Sequence, residues 1–157
     1  MHLTPRWYIL PAALVISGAV FFAVHTARGP ILEVTDTASG KVYGKWSLKG
    51  KEEFAIEFVH SVNQDPVREI FAVEKKTIRP SAVRFASFGA GMQSDLEEGQ
   101  VLSRDGDSLV ISGFNSSLKE LHYIVGTVSD HVLFVSDETV SLRDLCGKNA
   151  HVTLQIK

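Results

Sequence analysis

The sequence predicts an all-β fold: a single antiparallel β-sandwich or partly closed barrel of about eight or nine short strands, preceded by one N-terminal transmembrane helix. Two observations lead to this prediction. From residue 31 onward, apolar and polar residues alternate in short runs that turn residues separate, and this two-residue period is typical of strands. Before residue 31, an uncharged apolar run of helical length dominates the chain.

The alternating runs define the candidate strands. Asp105-Gly106 is the best hairpin signal between them, because both residues tolerate positive φ at a tight turn. Short helices are expected at Ser94–Gln100 and at Ser141–Leu145, where Gly147 follows as a stop signal. The predicted strands are Ile31–Thr37, Lys41–Leu48, Glu53–His60, Val67–Ile78, Val83–Phe88, Ser108–Phe114, Leu118–Val125, Val132–Val135 and His151–Ile156.

The apolar segment from Trp7 to Val24 indicates a membrane anchor. Its 18 residues meet the lower end of the length that spans a bilayer. Trp7 and Tyr8 stand at one end, where interfacial aromatic residues belong. A cleavable signal peptide is the alternative, although His25-Thr26-Ala27 matches a small-residue cleavage site poorly.

The segment divides the chain into residues 1–29, an anchor with a short link, and residues 30–157, a single β-domain. Positive charges are nearly balanced on the two sides of the segment. The amino-terminal flank is very short and would most simply stay in the cytoplasm. The β-domain is therefore expected outside the cytoplasm.

The composition excludes several classes of partner and cofactor. A formal net charge of -2 and a pI near 6.3 argue against a nucleic-acid-binding protein, which normally carries a basic surplus. The single cysteine, Cys146, allows neither an intramolecular disulfide nor a multi-cysteine zinc site. His122, His131 and His151 lack metal-binding spacing, so no metal or cofactor is expected.

The stretch from His60 to Glu69 holds the most chemistry-capable residues, at a turn between two predicted strands. A four-residue loop at residues 63–66 would place His60 opposite Glu69. The same register pairs Phe58 with Phe71 and Ile56 with Val73. Three interpretations of a His60–Glu69 pair stay open: a structural pair at the rim of the core, a ligand-contacting pair, and a catalytic acid–base or metal site.

Ser61 and Arg68 flank this pair. Ser61 does not complete a Ser–His nucleophile, because neighbouring strand residues point to opposite faces. The sequence also contains no Gly-x-Ser-x-Gly elbow. We therefore expect Ser61 and Arg68 to border a contact surface and not to perform chemistry.

Gly89-Ala90-Gly91 is the second marked segment. A predicted strand runs directly into it, and its glycines permit positive φ or close approach of the backbone to another group. Two interpretations stay open: a tight structural turn, and a loop whose backbone amides line a ligand site. A dinucleotide loop is not expected, because the third glycine is absent.

Two blocks, His60-Ser61-Val62 followed by Pro66-Val67-Arg68-Glu69, and Phe88-Gly89-Ala90-Gly91-Met92, resemble the signature of a bacterial protein family. This is the family of small proteins of unknown function often encoded beside TRAP transporters of the TAXI type. The resemblance covers roughly residues 31–145 and includes the single hydrophobic segment at the start. Met92-Gln93 departs from the pattern, since Leu-Pro or similar is typical there.

The resemblance implies an envelope context and an accessory role near solute uptake, without an established activity. We therefore expect a membrane-anchored, extracytoplasmic binding or accessory module of the bacterial inner membrane. Its partners would be the lipid bilayer, through residues 7–24, and the membrane subunit or solute receptor of a TAXI-type TRAP transporter. The ligand or partner surface would comprise His60, Ser61, Arg68, Glu69, Gly89, Ala90 and Gly91.

Two alternatives to this role stay open. One is an envelope enzyme that uses His60 and Glu69 as an acid–base pair. The other is a purely structural β-protein whose marked residues only fix the hairpin. The sequence names no catalytic residue, and a binding role is preferred over an enzymatic one.

Overall fold

A computed structural model of the chain describes residues 29–62, 64–87 and 95–157. Within these ranges the chain forms eleven strands and one short helix. In chain order they are β1 Ile31–Asp36, β2 Val42–Ser47, β3 Glu53–Val59, β4 Pro66–Glu74, β5 Thr77–Phe85, β6 Val101–Asp105, β7 Ser108–Ser112, β8 Glu120–Ile124, β9 His131–Val135, β10 Glu138–Ser141, α1 Leu142–Cys146 and β11 His151–Ile156.

The strands build two antiparallel sheets. The smaller has the order β2-β1-β11-β8, and the larger has the order β10-β9-β3-β4-β5-β7-β6. Apolar residues of both sheets share one buried core, with Leu32 and Leu154 from the smaller and Ile56 and Leu133 from the larger. Removal of this apolar surface from water is the main stabilising term. In the described residues the sheets do not join into a closed barrel, so the two-sheet alternative of the prediction is found.

Two local signals in the sequence are confirmed. Asp105 pairs with Ser108 around the turn Gly106-Asp107, and Gly106 has a φ of 60°. The helix α1 begins after Ser141, whose hydroxyl oxygen accepts a backbone N–H of the first turn at 3.0 Å, as an N-cap does. Gly147 ends this helix.

The long predicted strand Val67–Ile78 is in fact a hairpin of β4 and β5. Its turn includes Lys75, which takes a φ of 59° although lysine is not a typical turn residue. The turn expected at Arg79-Pro80 lies inside β5. Pro80 is accommodated where the β4–β5 register shifts between Ile70 and Phe71, because a bulge tolerates a residue that cannot donate to the ladder.

Three short segments also differ from the prediction. The strands β6 and β10 were not expected from the alternation. The described part of Ser94–Gln100, residues 95–100, contains turns and no helix. The eleven strands of the described residues therefore exceed the expected number.

The β3–β4 hairpin has a different register from the one that the sequence suggested. Ile56 lies opposite Glu69 and Val59 lies opposite Pro66, so the loop spans residues 60–65. The predicted pairing of His60 with Glu69 is wrong, since the two are out of register by four residues, or about 13 Å along a strand. In the observed register, Phe71 pairs with Phe54, and Phe58 pairs with Val67.

Strand directions fix where the loops lie relative to the start of the domain. Both β1 and β8 pair antiparallel with β11, so they run in the same direction. The last residue of β8, Ile124, pairs with His151, whose carbonyl accepts the N–H of Thr37 beyond the end of β1. The residues after Ile124 therefore lie at the end of the sandwich opposite to Ile31, which we call the distal end.

Among the described residues, no helix is long and apolar enough to cross a membrane. The predicted anchor, residues 7–24, lies outside the described ranges. The anchor and the division of the chain after residue 29 therefore stay predictions.

Candidate functional site

Two loops at the distal end enclose a cleft of about 620 Å³. One is the β3–β4 loop, residues 60–65, and the other is the β8–β9 loop, residues 125–130. The Val59 N–H donates to Ser129 Oγ at 2.9 Å and joins the two sides. Among the described residues, the polar side chains that line this distal cleft are His60, Ser61, Gln64, Thr127, Ser129 and His131.

The β3–β4 loop is closed by its own hydrogen bonds. The His60 N–H donates to the Asp65 carbonyl at 2.9 Å, and the Gln64 N–H donates to the His60 carbonyl at 3.0 Å. The Gln64 side-chain amide donates to the Ser61 carbonyl at 2.8 Å. His60 Nδ1 accepts the Val62 N–H at 3.3 Å, so the loop itself orients the imidazole. The bonded loop holds Val62 at its tip, 62% exposed.

The β8–β9 loop is held from the side of α1. Arg143 Nη2 donates to the Gly126 carbonyl at 3.3 Å and to the Val128 carbonyl at 2.9 Å. The Asp130 carboxylate accepts the Ser141 hydroxyl and the Arg143 backbone N–H. Charged groups make stronger hydrogen bonds than neutral ones, so this loop is fixed although its tip residue Val128 is 92% exposed.

His131 forms the floor of the cleft. Its ring stacks on Phe58, with 5.1 Å between ring centroids, and contacts Tyr123 at 5.7 Å. Burial lowers the pKa of His131; Asp130 opposes this shift and Arg143 adds to it. His131 Nδ1 accepts the Gly126 N–H at 3.2 Å, so the neutral ring carries its proton on Nε2. A neutral imidazole with an Nε2 proton is a hydrogen-bond donor beneath the two loops.

Glu69 lies on the inner face of β4, between the sheets. Tyr123, on β8 of the smaller sheet, donates its hydroxyl to the Glu69 carboxylate at 2.6 Å. Burial raises the pKa of Glu69, which the bond from Tyr123 opposes, and burial with the nearby Glu69 charge raises the pKa of Tyr123. The pair lines a second cavity of about 260 Å³, whose other lining residues, among those that the structure describes, are all apolar. We call it the inter-sheet cavity.

We expect Glu69→Gln to gain stability relative to the wild type as the pH rises from about 4 to about 8. Since burial raises the folded-state pKa above the ordinary 4.5, the folded protein keeps a proton that the unfolded chain loses above that value. The contribution of this group to stability is complete below pH 4.5 and is lost as the pH rises through the folded-state pKa. Urea denaturation of both proteins across this range measures the difference.

Glu74→Gln is the matched control for this measurement. Glu74 lies on the same strand, is exposed, and forms an ion pair with Arg79 at 2.9 Å. A free-energy difference between Glu69→Gln and the wild type that stays constant or falls with pH would contradict the prediction.

The predicted surface residues are distributed over three places. His60 and Ser61 line the distal cleft, and Glu69 lines the inter-sheet cavity. Arg68 lies on the opposite, outer face of the larger sheet, because adjacent strand residues alternate. The remaining three, Gly89, Ala90 and Gly91, lie outside the described residues.

Arg68 takes part in a separate cluster on the outer face. Its Nε donates to Glu57 at 2.8 Å, and its guanidinium lies 4.1 Å from the centroid of the Phe134 ring. Both partners are partly exposed. Arg68 therefore does not border the cleft that His60 and Ser61 line.

Sequence reasoning missed the contribution of His131, Tyr123 and the β8–β9 loop. His131 was one of several scattered histidines, and Tyr123 carried no motif. The nearest signal was the turn at Ser129-Asp130, which marks the loop but not its position beside His60. Both residues acquire their roles through contacts between the two sheets or between neighbouring strands that are distant in sequence.

Comparison with known proteins gives a family and no individual relative. A family model described as a domain of unknown function (DUF1850) matches residues 54–142, which is more than half of the chain. The protein belongs to this family. No curated protein and no solved structure matches the chain. The matched range runs from β3 to the start of α1 and contains both loops of the distal cleft.

Proposed function

We propose that this protein is a membrane-anchored, extracytoplasmic binding module that serves as an accessory to a TAXI-type TRAP solute transporter. Its ligand or partner would bind in the distal cleft. The observation that carries the proposal is the cleft itself, a concave site of about 620 Å³ between two loops that hydrogen bonds hold in place. Concave sites with a few placed polar groups are typical of ligand binding.

The position of the cleft agrees with an anchored module. The chain enters the domain at Ile31, and the cleft lies at the opposite end of the sandwich. An anchor at residues 7–24 would therefore hold the cleft away from the lipid surface. This arrangement favours contact with another protein or a solute over contact with the bilayer that holds the anchor.

The lining of the cleft supports a protein partner. Val62 and Val128 stand at the tips of the two loops and are 62% and 92% exposed. Exposed apolar residues at a recess lined by both polar and apolar side chains match the mixed composition of protein interfaces. The resemblance carried by His60-Ser61-Val62 and Pro66-Val67-Arg68-Glu69 supports a transporter subunit as that partner.

The structure gives less support to an enzyme that uses His60 and Glu69 as an acid–base pair. Such a pair must reach one reacting atom from both sides, directly or through one water. His60 lines the distal cleft, whereas Glu69 bonds to Tyr123 and lines the inter-sheet cavity. The binding module is therefore the function that the geometry favours.

The proposal is tested with the full-length chain co-expressed with the membrane subunit of a TAXI-type TRAP transporter. We expect His60→Ala and Val128→Asp each to abolish co-purification of the subunit and to reduce solute uptake. The Val128 change should leave the free energy of unfolding within about 0.5 kcal/mol of the wild type, because the residue is at the surface. His122→Ala is the matched control, since His122 is exposed on the smaller sheet outside the cleft.

Two outcomes of the co-purification experiment would contradict the proposal. If both variants retain the subunit and uptake, the cleft is not the binding surface. If His60→Ala loses several kcal/mol of stability and Val128→Asp binds normally, the purely structural interpretation stands.

Labelling of a Ser39→Cys, Cys146→Ser protein by an impermeant maleimide in intact spheroplasts tests the location of the β-domain. Labelling only after lysis would place the domain in the cytoplasm and contradict the proposal.

A further inference from the structure

We infer that the inter-sheet cavity beside Glu69 and Tyr123 binds a small apolar primary amine, a compound with one ammonium group on a compact hydrophobic body. This site lies outside the distal cleft. The inference is therefore independent of the proposed function. It depends on two features of the cavity, its carboxylate and its apolar walls.

Within the part of the chain that the structure describes, no cationic side chain pairs with the Glu69 carboxylate. Its hydrogen bond comes from the neutral Tyr123 hydroxyl at 2.6 Å. A carboxylate can accept about four hydrogen bonds, so acceptor capacity remains on Glu69, which lines the cavity. A partly buried carboxylate without a counter-ion is costly, and an ammonium group would supply both the opposite charge and charge-assisted hydrogen bonds.

The rest of the cavity suits a hydrophobic body. Val83, Phe114, Leu118 and Leu121 are among its walls. Leu118 is 37% exposed, so the cavity has a wall that reaches the surface. A volume of about 260 Å³ accommodates an aromatic ring with a short side chain, such as 2-phenylethylamine.

The same lining disfavours the other simple ligand classes. None of the described lining residues carries a positive charge, so an anion would find no counter-charge and would be repelled by Glu69. A neutral apolar compound would remove water from the carboxylate without replacing its hydrogen bonds. The ammonium compound is the class that satisfies both the charge and the walls.

The experiment is isothermal titration calorimetry of the full-length protein in detergent with 2-phenylethylamine, 2-phenylethanol and 3-phenylpropionate. The three probes share a phenyl ring and differ in the polar group. We expect the amine to bind, and the alcohol and the acid to bind at least about tenfold more weakly, as loss of a charge-assisted pair predicts. Equal binding of amine and alcohol, or no binding of the amine, would overturn the inference.

Variants locate the binding in the cavity. Glu69→Gln keeps the shape of the side chain and removes the charge, and it should weaken amine binding by about tenfold or more. Val83→Phe fills the cavity without changing the carboxylate and should abolish binding, which covers the case in which the Gln variant fails to fold. Glu74→Gln, on the same strand but outside the cavity, should bind as the wild type does. Unchanged amine binding in both cavity variants would overturn the inference.

Discussion

Ile56→Ala is expected to lower the free energy of unfolding by about 3 kcal/mol, within the range of about 2–5 for a buried aliphatic residue cut to alanine. Ile56 is completely buried. It lies on β3, between Leu133 of β9 and Glu69 of β4, and faces the smaller sheet within the shared core. Truncation removes apolar contacts and leaves a cavity that rigid strands on both sides cannot close. Urea denaturation of the full-length protein measures the loss.

Val62→Ala provides the control, since Val62 is an aliphatic residue 62% exposed at a loop tip. Its stability should stay within about 0.5 kcal/mol of the wild type. If Ile56→Ala lowers the free energy of unfolding no more than Val62→Ala does, the inner faces of the two sheets are not packed against each other. Such a result would contradict the sandwich directly.

The strand pattern explains why the fold class was predictable and the hairpin register was not. Phe54, Ile56 and Phe58 alternate on β3, and Val67 and Phe71 alternate on β4. Any shift by an even number of residues keeps these side chains on one face, so burial alone allows several registers. The turn selects one of these registers. Backbone hydrogen bonds close the β3–β4 loop, and Gln64 takes a positive φ, but no strong turn signal in the sequence predicts this conformation.

The sequence did not predict the β4–β5 hairpin, for a related reason. Proline is a strong signal for the end of a strand, and Arg79-Pro80 was therefore expected to be a turn. In the fold the turn falls at Lys75 and the register shift beside Pro80 absorbs the missing donor. Local propensity was overridden by the pairing of the whole strand, which no single residue reveals.

The candidate site was predictable only in part, because half of it is built by contacts that are distant in sequence. His60 and Ser61 could be identified, since a loop between two strands is a frequent position for binding residues. His131 meets Phe58 through the pairing of β9 with β3. Tyr123 reaches Glu69 from the other sheet, 54 positions along the chain. Neither contact leaves a spacing that a single sequence can show.

The second large effect is expected at Gly126, in the β8–β9 loop that hydrogen bonds from Arg143 hold. A Cβ atom at this position would lie 2.0 Å from the Ser129 carbonyl oxygen, and this overlap is with backbone, so no side-chain rotation relieves it. Gly126→Ala should displace the loop and break the Gly126 N–H bond to His131. We expect a loss of about 1–3 kcal/mol in unfolding free energy and faster amide exchange at Val59, whose N–H bonds to Ser129.

Gly106→Ala separates this steric effect from the general effect of replacing a glycine. Gly106 has a φ of 60°, but no atom lies within 4 Å of an added Cβ. Gly106→Ala should therefore lower the free energy of unfolding only through backbone strain, by about 1 kcal/mol. It also lies in the β6–β7 turn, outside the cleft. Under the proposed function, Gly126→Ala is therefore expected to lose co-purification of the transporter subunit, whereas Gly106→Ala is expected to retain it. If both variants retain the subunit and unfold with equal free energy, the β8–β9 loop adapts to the added methyl group. Recognition by the partner would then not depend on a fixed cleft.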